Sequence, residues 1–594
     1  MRLASFSRWF IWLVICFWAP LQLTTKRLSA QETAERVSGQ GQPTAYVKFP
    51  REFVDVTHSA GIDFYLTAGS TKKNYIFESL EGGVAVFDFD NDGWPDLYFV
   101  NGTTMELGRE HAPAGKLYRN LHNGKFQDVT SHSGISARGW CFGAAVGDYD
   151  NDGLDDLLIT CLGRNYLYRN TGNGKFVDVT VAAGVLGGGW STSASFGDYD
   201  NDGKLDLIVA RYVEIDPENP PPFGSGRFCS YRGLPVYCGP RGMRGERDLL
   251  YHNNGDGTFT EVGHELGIDA HGWNGLAAIW GDVDNDGRLD LYIANDSTPS
   301  LLYHNVTPHG GPVRFEEIGM ESGVAYGSEG QVQSGMGVDS GDYDNDGWID
   351  IVKTNFSDDA INLYHNNRDG TFTDLSFEAG LADKTRTSVG LGVIFADLEN
   401  TGHLDLVVAN GHMNPQVDSQ PMGISYAERN LLFMNLNNGK FADVSAQAGP
   451  GFASEAVNRG LATIDFDNDG FTDLIFTRLD ASPALLHNLP SSHDVAKSHW
   501  LTIKLEGTRS NRDGFGARVT VRQRAGLQIQ EVRSNRSYLS ASDPRVHFGL
   551  GEDSQSVEIE VKWPSGRLDT CKNVPVDRFL HIKEGNASCN VITY

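Results

Sequence analysis

Basic charge is scarce in this sequence. Lysine and arginine number 49 against 77 aspartates and glutamates, for a formal net charge of −28. A field of that sign repels nucleic acid and anionic lipid, which argues against both as partners. Long apolar runs are also missing beyond the first 30 residues, so no membrane span is expected in the mature chain. No two cysteines form a CxxC pair, which argues against metal binding by the thiols. A nucleophile elbow, an HExxH helix and a glycine-rich phosphate loop are absent as well. What the chain has in quantity is glycine, 69 residues, among β-branched and aromatic residues. That composition suits a turn-rich all-β protein. At 594 residues the chain is too long for one ordinary core, so several domains or a repeat array are expected.

Residues 1–30 read as a signal peptide. Arg2 and Arg8 precede an apolar stretch from Trp9 to Leu23, and Ala30 offers a small residue for cleavage. An uncleaved anchor is the alternative; a lipoprotein signal at Cys16 is disfavoured by the two bulky residues before it. Residues 31–47 are then a linker, and the protein is secreted, periplasmic or on the cell surface. Six cysteines remain after cleavage, and in an exported chain they suggest disulfides among 15 possible connectivities. Proximity favours Cys229 with Cys238, and Cys571 with Cys589. Cys141 and Cys161 flank the loop 148–156 and lie nearly opposite if that loop joins antiparallel strands; free buried thiols are the alternative.

The loop itself, "DYDNDGLDD", recurs. Copies stand at 88–96, 148–156, 198–206, 282–290, 342–350, 397–405 and 465–473, each between two short β-rich apolar runs. An "LYRN"-like element appears at 117, 167, 250, 302, 363, 432 and 485, and an "F-x-DVT"-like element at Phe53, Phe126, Phe176, Phe259, Phe315, Phe372 and Phe441. The first "F-x-DVT" has no "LYRN" before it and the last "LLHN" has no "F-x-DVT" after it. The two orphan half-hairpins match if the chain closes on itself. The expected fold is therefore all-β: a seven-bladed β-propeller over 48–490, then a small, separate β-sandwich-like domain over 499–583 and a tail, 584–594.

The spacing D-x-D-x-D-G-x-x-D suits calcium, a hard cation that takes six to eight oxygens. Carboxylates at positions 1, 3, 5 and 9 and the carbonyl at position 7 would ligate it. The expected ligands are Asp88, Asp90, Asp92, Trp94 and Asp96; Asp148, Asp150, Asp152, Leu154 and Asp156; Asp198, Asp200, Asp202, Lys204 and Asp206. In the later repeats they are Asp282, Asp284, Asp286, Arg288 and Asp290; Asp342, Asp344, Asp346, Trp348 and Asp350; Asp465, Asp467, Asp469, Phe471 and Asp473. The loop at 397–405 supplies Asp397, Glu399 and Asp405 but has Thr401 at position 5, so it is expected to bind weakly or not at all. Position 12, where an EF-hand needs Glu, is Phe99, Ile159 or another non-acidic residue, and the flanks are strands. Six loops with four aspartates and a seventh with three acids hold 27 acidic groups, nearly the whole net charge. Up to seven Ca²⁺ are expected. Turn-capping by the aspartates alone is the alternative.

These loops and flanks resemble the FG-GAP/VCBS repeats of integrin α-subunit propellers. Over nearly all of the mature chain the sequence resembles the cartilage acidic protein family, including its bacterial members. "GFGARVTV" (514–521), "VHFGLG" (546–551) and "VKWPSG" (561–566) resemble the ASPIC/UnbV domain. The resemblance implies an extracellular calcium-binding protein. The EGF-like module of the animal members is absent, which points to a bacterial exported member.

Two functions compete: a non-catalytic binding or adhesion module for a glycan or protein, and a polysaccharide lyase or hydrolase at the propeller mouth. The non-repeating segments 211–247, 295–300 and 410–427 would carry either. The best polar set for a ligand is Asn295, Asp296 and His412. In the C-terminal domain Trp563, with Arg567 nearby, is a stacking candidate but more often such a residue is core.

Overall fold

The structure, a computed structural model, describes residues 48–268, 271–491, 498–524, 526–586 and 589–592. The expected signal peptide with Cys16, and the linker to residue 47, lie outside them.

Small and apolar residues before each acidic loop form a strand buried along its whole length: Val84–Phe87, Cys141–Gly147, Ser191–Gly197, Gly275–Gly281, Gly335–Gly341, Gly390–Ala396 and Asn458–Ile464. These are the innermost strands of seven four-stranded antiparallel sheets. In the first sheet the order outward is Val84–Phe87, Asp96–Phe99, Lys116–Asn120 and Phe126–Asp128. Each innermost strand touches the next, and that of the seventh sheet touches that of the first. The ring is closed by chain ends: Arg51–Asp55 is the outer strand of the last sheet, with Phe53 opposite Asn488. Crowding at the axis explains the glycines there. A Cβ on Gly83 would lie 2.6 Å from the Phe142 carbonyl oxygen, closer than any real Cβ contact.

Each second strand runs back from its acidic loop, so the segment after that strand emerges on the opposite face. The segments after Asp206–Arg211 and Asp405–Asn410 are long, as is that after Asp96–Phe99, whereas that after Asp290–Asn295 is short, 296–300. The first is stapled by Cys229–Cys238, and Cys141–Cys161 joins two residues in register on adjacent strands.

The C-terminal region forms two four-stranded sheets, including a parallel pairing of His499–Glu506 with Arg578–Lys583. Two expectations need correction. The tail is not a tail: Asn590–Ile592 pairs with Phe579–His581 as an edge strand, and Cys589 bonds Cys571. Nor is this domain separate. Its residues 534–542 enter the ring axis and hydrogen-bond the inner edges of five innermost strands. Val86 N–H donates to the Ala541 carbonyl (2.9 Å), Ala541 N–H to Val84 (2.9 Å), Ala144 N–H to Leu539 (3.1 Å) and Ser537 N–H to Val338 (2.7 Å). Val393 N–H donates to Ser537 Oγ and Thr463 N–H to Ser542 Oγ, both at 3.1 Å. The axis of such a ring is lined by strand edges with unpaired backbone groups, which cost free energy when buried without partners. The inserted segment supplies those partners. Apolar alternation in 499–583 shows the strands but carries no trace of where the connecting loop goes.

Candidate functional site

Each acidic loop is built by its own carboxylates. At 88–96, Asp88 accepts from the N–H of Asp92 (3.0 Å) and Gly93 (2.9 Å), and Asp96 accepts from Asn120 N–H (2.7 Å) and Phe89 N–H (3.2 Å). The loop at 148–156 repeats this through Asp148 and Asp156. The position-7 residues Trp94, Leu154, Lys204, Arg288, Trp348 and Phe471 each donate their N–H to the position-5 carboxylate, at 2.8–3.0 Å. Gly93 and its equivalents have φ near +90°, which glycine adopts freely.

After these bonds, oxygens are left over. Asp90 Oδ1, Asp150 Oδ1, Asp467 Oδ1, Asp350 Oδ2 and Glu399 Oε2 are buried without a hydrogen-bond partner. Carboxylate oxygens of Asp88, Asp90 and Asp96 lie within 4.8 Å of one another. Burial drives the position-1 carboxyls up: Asp148, Asp282 and Asp342 each to about 7. Asp198, Asp290 and Asp473 are likewise pushed well above the carboxylate range by burial. Such clusters need protons or a cation. Flexible carboxylate oxygens with spare lone pairs fit calcium better than magnesium, which demands strict octahedral geometry, while in the loops of Asp200, Asp284, Asp344 and Asp467 a histidine nitrogen joins the cluster.

Sequence reasoning missed three partners of these loops. The third residue of "LYRN" is a base beside the carboxylates: Arg119 Nε lies 2.7 Å from Asp90, Arg169 3.8 Å from Asp150, and His252 Nδ1 3.2 Å from Asp206. His304 Nε2 lies 2.9 Å from Asp284, His365 Nδ1 3.2 Å from Asp350 and His487 Nε2 3.2 Å from Asp467. Only the sixth repeat has a neutral residue there, Met434. That repeat's acids, Asp397, Glu399 and Asp405, are all buried. Burial and the neighbouring Asp405 hold the Glu399 carboxyl well above its usual range, so this loop is suited to keep a proton.

The other two partners are asparagines. Position 4 of every loop is Asn with positive φ. Its side chain donates to the glycine carbonyl of the next loop: Asn91 to Gly153, Asn151 to Gly203, Asn201 to Gly287, Asn285 to Gly347, Asn345 to Gly402, Asn400 to Gly470, and Asn468 back to Gly93 at 3.5 Å. The last Asn of "LYRN" reaches the other way. Asn120, Asn170, Asn253, Asn305, Asn366, Asn435 and Asn488 donate to the position-2 carbonyl of the preceding loop at 2.8–2.9 Å. Two rings of seven hydrogen bonds thus tie the loops together. The signal was present as an Asn repeated at two fixed offsets.

The C-terminal domain covers this face. Asp148 N–H donates to Asp513 (2.8 Å), Arg512 N–H to Asn151 (2.8 Å) and Arg545 to Asn468 (3.0 Å), while His547 Nε2 lies 2.6 Å from Asn400 Oδ1. Trp563 is buried, with its indole N–H donated to Asp569 (2.9 Å); it is core and not a platform. Arg567 pairs with the same Asp569 at 2.8 Å.

The opposite face holds a cavity of about 610 Å³ between the stapled insert and the ring axis. Of the expected polar set, Asp296 lines it, accepting from Tyr212 OH and, at 2.9 Å, from Ser297 Oγ. Asn295 does not; its amide donates to the Pro299 carbonyl at 2.6 Å. His412 stands behind the wall, fully buried, its ring 5.2 Å from that of Tyr231 and 5.3 Å from that of Phe356. Burial, reinforced by Arg459 and Arg232, drives its imidazole down to about 3, so it is neutral. The three do not converge on one point as acid and base.

Comparison with known proteins finds a match to the family described as ASPIC and UnbV over residues 507–588, and to the FG-GAP-like repeat over 88–159, 149–209, 236–293 and 330–408. Among curated proteins the chain is similar to cartilage acidic protein 1 of Xenopus tropicalis, 28% identical over 360 residues, covering 58% of this chain and 51% of that one. It is also similar to cartilage acidic protein 1 of Homo sapiens, 24% identical over 324 residues, covering 54% and 38%. The chain spans about half, or less, of the length of these relatives. Among solved structures, an Agrocybe aegerita lectin with specificity for non-reducing terminal N-acetylglucosamine aligns at 17% identity and a TM-score of 0.38, covering 68% of this chain and 87% of that one. A likeness at that level carries no argument about ligand.

Proposed function

For a chain of FG-GAP-like repeats joined to an ASPIC/UnbV domain and similar to cartilage acidic protein 1, we propose an exported, non-catalytic binding module, of adhesion type, for a glycan or protein ligand. The observation that carries the reading is the division of labour between the faces. One face is occupied by acidic loops and sealed by the C-terminal domain; the other offers a cavity of about 610 Å³ built from non-repeating segments. Three disulfides support an oxidising, extracytoplasmic setting.

Calcium is part of this proposal. The position 1, 3, 5 and 9 carboxylates of the six full loops would hold it, together with the position-7 carbonyls. Bound there, it supplies positive charge that relieves the repulsion among desolvated carboxylates. Arg119 and Arg169 then act as outer counter-charges, the four histidines stand as outer partners of the same carboxylates, and the asparagine rings pass the rigidity of one loop to the next. Sites of extracellular modules bind at about 10⁻⁴–10⁻³ M. Thermal unfolding of the full chain with EDTA and with millimolar calcium tests this. A melting temperature several degrees lower in EDTA, restored by calcium but not by magnesium, is expected. Identical curves in the two buffers would reject the calcium reading.

A further inference from the structure

Taking the far-face cavity as the binding site, as the proposed function does, we propose that its ligand is an acidic oligosaccharide, a sugar chain bearing carboxylate or sulfate groups. The charge pattern is the first observation. In a protein of net charge −28, two exposed arginines, Arg227 and Arg241, line this cavity. Among the described residues neither forms an ion pair, whereas the neighbouring Arg232 pairs with Asp358. The three carboxylates of the lining are already engaged: Asp358 by Arg232, Asp296 by Tyr212 and Ser297, and Asp359 by the charge of Lys353, by the Ser334 backbone and, at a distance, by Arg241. The acids are engaged, Arg241 is shared with Asp296 and Asp359 only at a distance, and Arg227 pairs with no acid among the described residues, so the guanidiniums of the site keep donors for an anion.

The apolar part of the lining is aromatic. Phe228 is 44% exposed at the rim, with the Arg227 guanidinium 5.4 Å from its ring centre, and Tyr231 lies beside it, its hydroxyl held by Ser357 at 2.7 Å. Flat faces of this kind match the C–H face of a sugar ring. Deeper in, Asn414 lines the cavity while only 4% exposed, and its Oδ1 has no partner. A buried carbonyl oxygen without a donor is costly, and a ligand hydroxyl removes that cost. The ligand must therefore bring a hydroxyl donor, an apolar face and an anionic group together. A cavity of this size lies within the range of small-ligand sites, roughly 300–1,000 Å³. An acidic peptide brings the anion but not the apolar C–H face of a sugar ring that Phe228 and Tyr231 would meet in this half-open site under the stapled loop, and the hexaglutamate probe tests it as the competing occupant.

The test is isothermal titration of the full chain in millimolar calcium. The probes are an oligogalacturonate, a chondroitin sulfate hexasaccharide, neutral maltohexaose and a hexaglutamate peptide. At least one acidic saccharide is expected to bind, weakening at least tenfold between 50 and 500 mM NaCl, with maltohexaose silent. The double variant Arg227→Ala/Arg241→Ala should lose at least tenfold in affinity and Phe228→Ala several-fold, with unfolding temperatures unchanged because all three side chains are exposed. Binding of hexaglutamate alone, equal binding of maltohexaose, or affinity untouched by the double variant overturns the inference. No acidic saccharide bound overturns it too; a glycan and protein array read on wild type and Phe228→Ala then separates the two levels. Phe228-dependent capture of a neutral glycan or a protein keeps the far face as the binding face, and capture indifferent to Phe228 removes both.

Discussion

Truncating Tyr538 distinguishes a C-terminal domain built into the ring from one that is merely appended to it. The side chain is fully buried at the ring axis, in a cluster with Phe142, Trp190, Leu391 and Tyr237, and its hydroxyl donates to the Leu80 carbonyl at 3.1 Å. Those neighbours belong to the propeller, so the energy of the contact is shared between the two parts. Replacing a buried aromatic by alanine costs about 3–5 kcal/mol through lost transfer energy and the cavity left behind. Leaving the Leu80 carbonyl without its donor adds about 1 kcal/mol. Tyr538→Ala should therefore destabilise the protein by about 5 kcal/mol, and Tyr538→Phe, which keeps the ring, by about 1 kcal/mol. The assay is urea unfolding in constant millimolar calcium, followed by hydrogen exchange read separately on the propeller strands and on the C-terminal sheets, the two probes of the shared core. Both probes should move together and in the order Ala far below Phe. A Tyr538→Ala protein unfolding at the wild-type midpoint, or one in which the C-terminal domain melts early while the propeller is unaffected, would refute the shared-core reasoning.

Two further outcomes are expected. Asn305 is buried and donates to the Tyr199 and Leu289 carbonyls at 2.9 and 3.2 Å, so Asn305→Ala should cost about 3 kcal/mol, and hydrogen exchange should quicken in the loops on both sides of that joint rather than in one. The neutral, buried His412, with its pKa lowered to about 3, makes stability fall as pH drops below the unfolded value near 6.5, because only the unfolded chain takes up the proton; the loss levels off near pH 3. Between pH 8 and pH 5 that limb amounts to about 2 kcal/mol. It should be missing in His412→Gln, read as the difference between the two urea series; a parallel pair of curves would contradict it.

Much of the fold was legible because it repeats. Seven copies of the acidic loop between apolar runs mark seven hairpins, and the unmatched "FVDVT" and "LLHN" mark the seam, since antiparallel pairing needs both halves. The carboxylates were legible for the same reason. Their partners were not. Arg119, His252 and the two asparagine series sit at fixed offsets, but a repeated polar residue on a strand reads equally as a solvated face. The polar set Asn295, Asp296 and His412 stands out in the sequence by breaking the repeat, yet only Asp296 reaches the cavity. His412 is drawn behind Tyr231 and Phe356 by ring packing that no local pattern encodes.

The chain by itself determined what depends on short range: strand alternation, the turn at each positive-φ glycine, the clustering of acids in each loop, and the number of repeats. Tertiary structure alone decided what depends on residues hundreds of positions apart. Residues 534–542 go into the axis because seven converging strand edges leave backbone groups that need partners there. With that face sealed, the engaged acids and Arg227 and Arg241, neither of them in an ion pair among the described residues, come to share the other one.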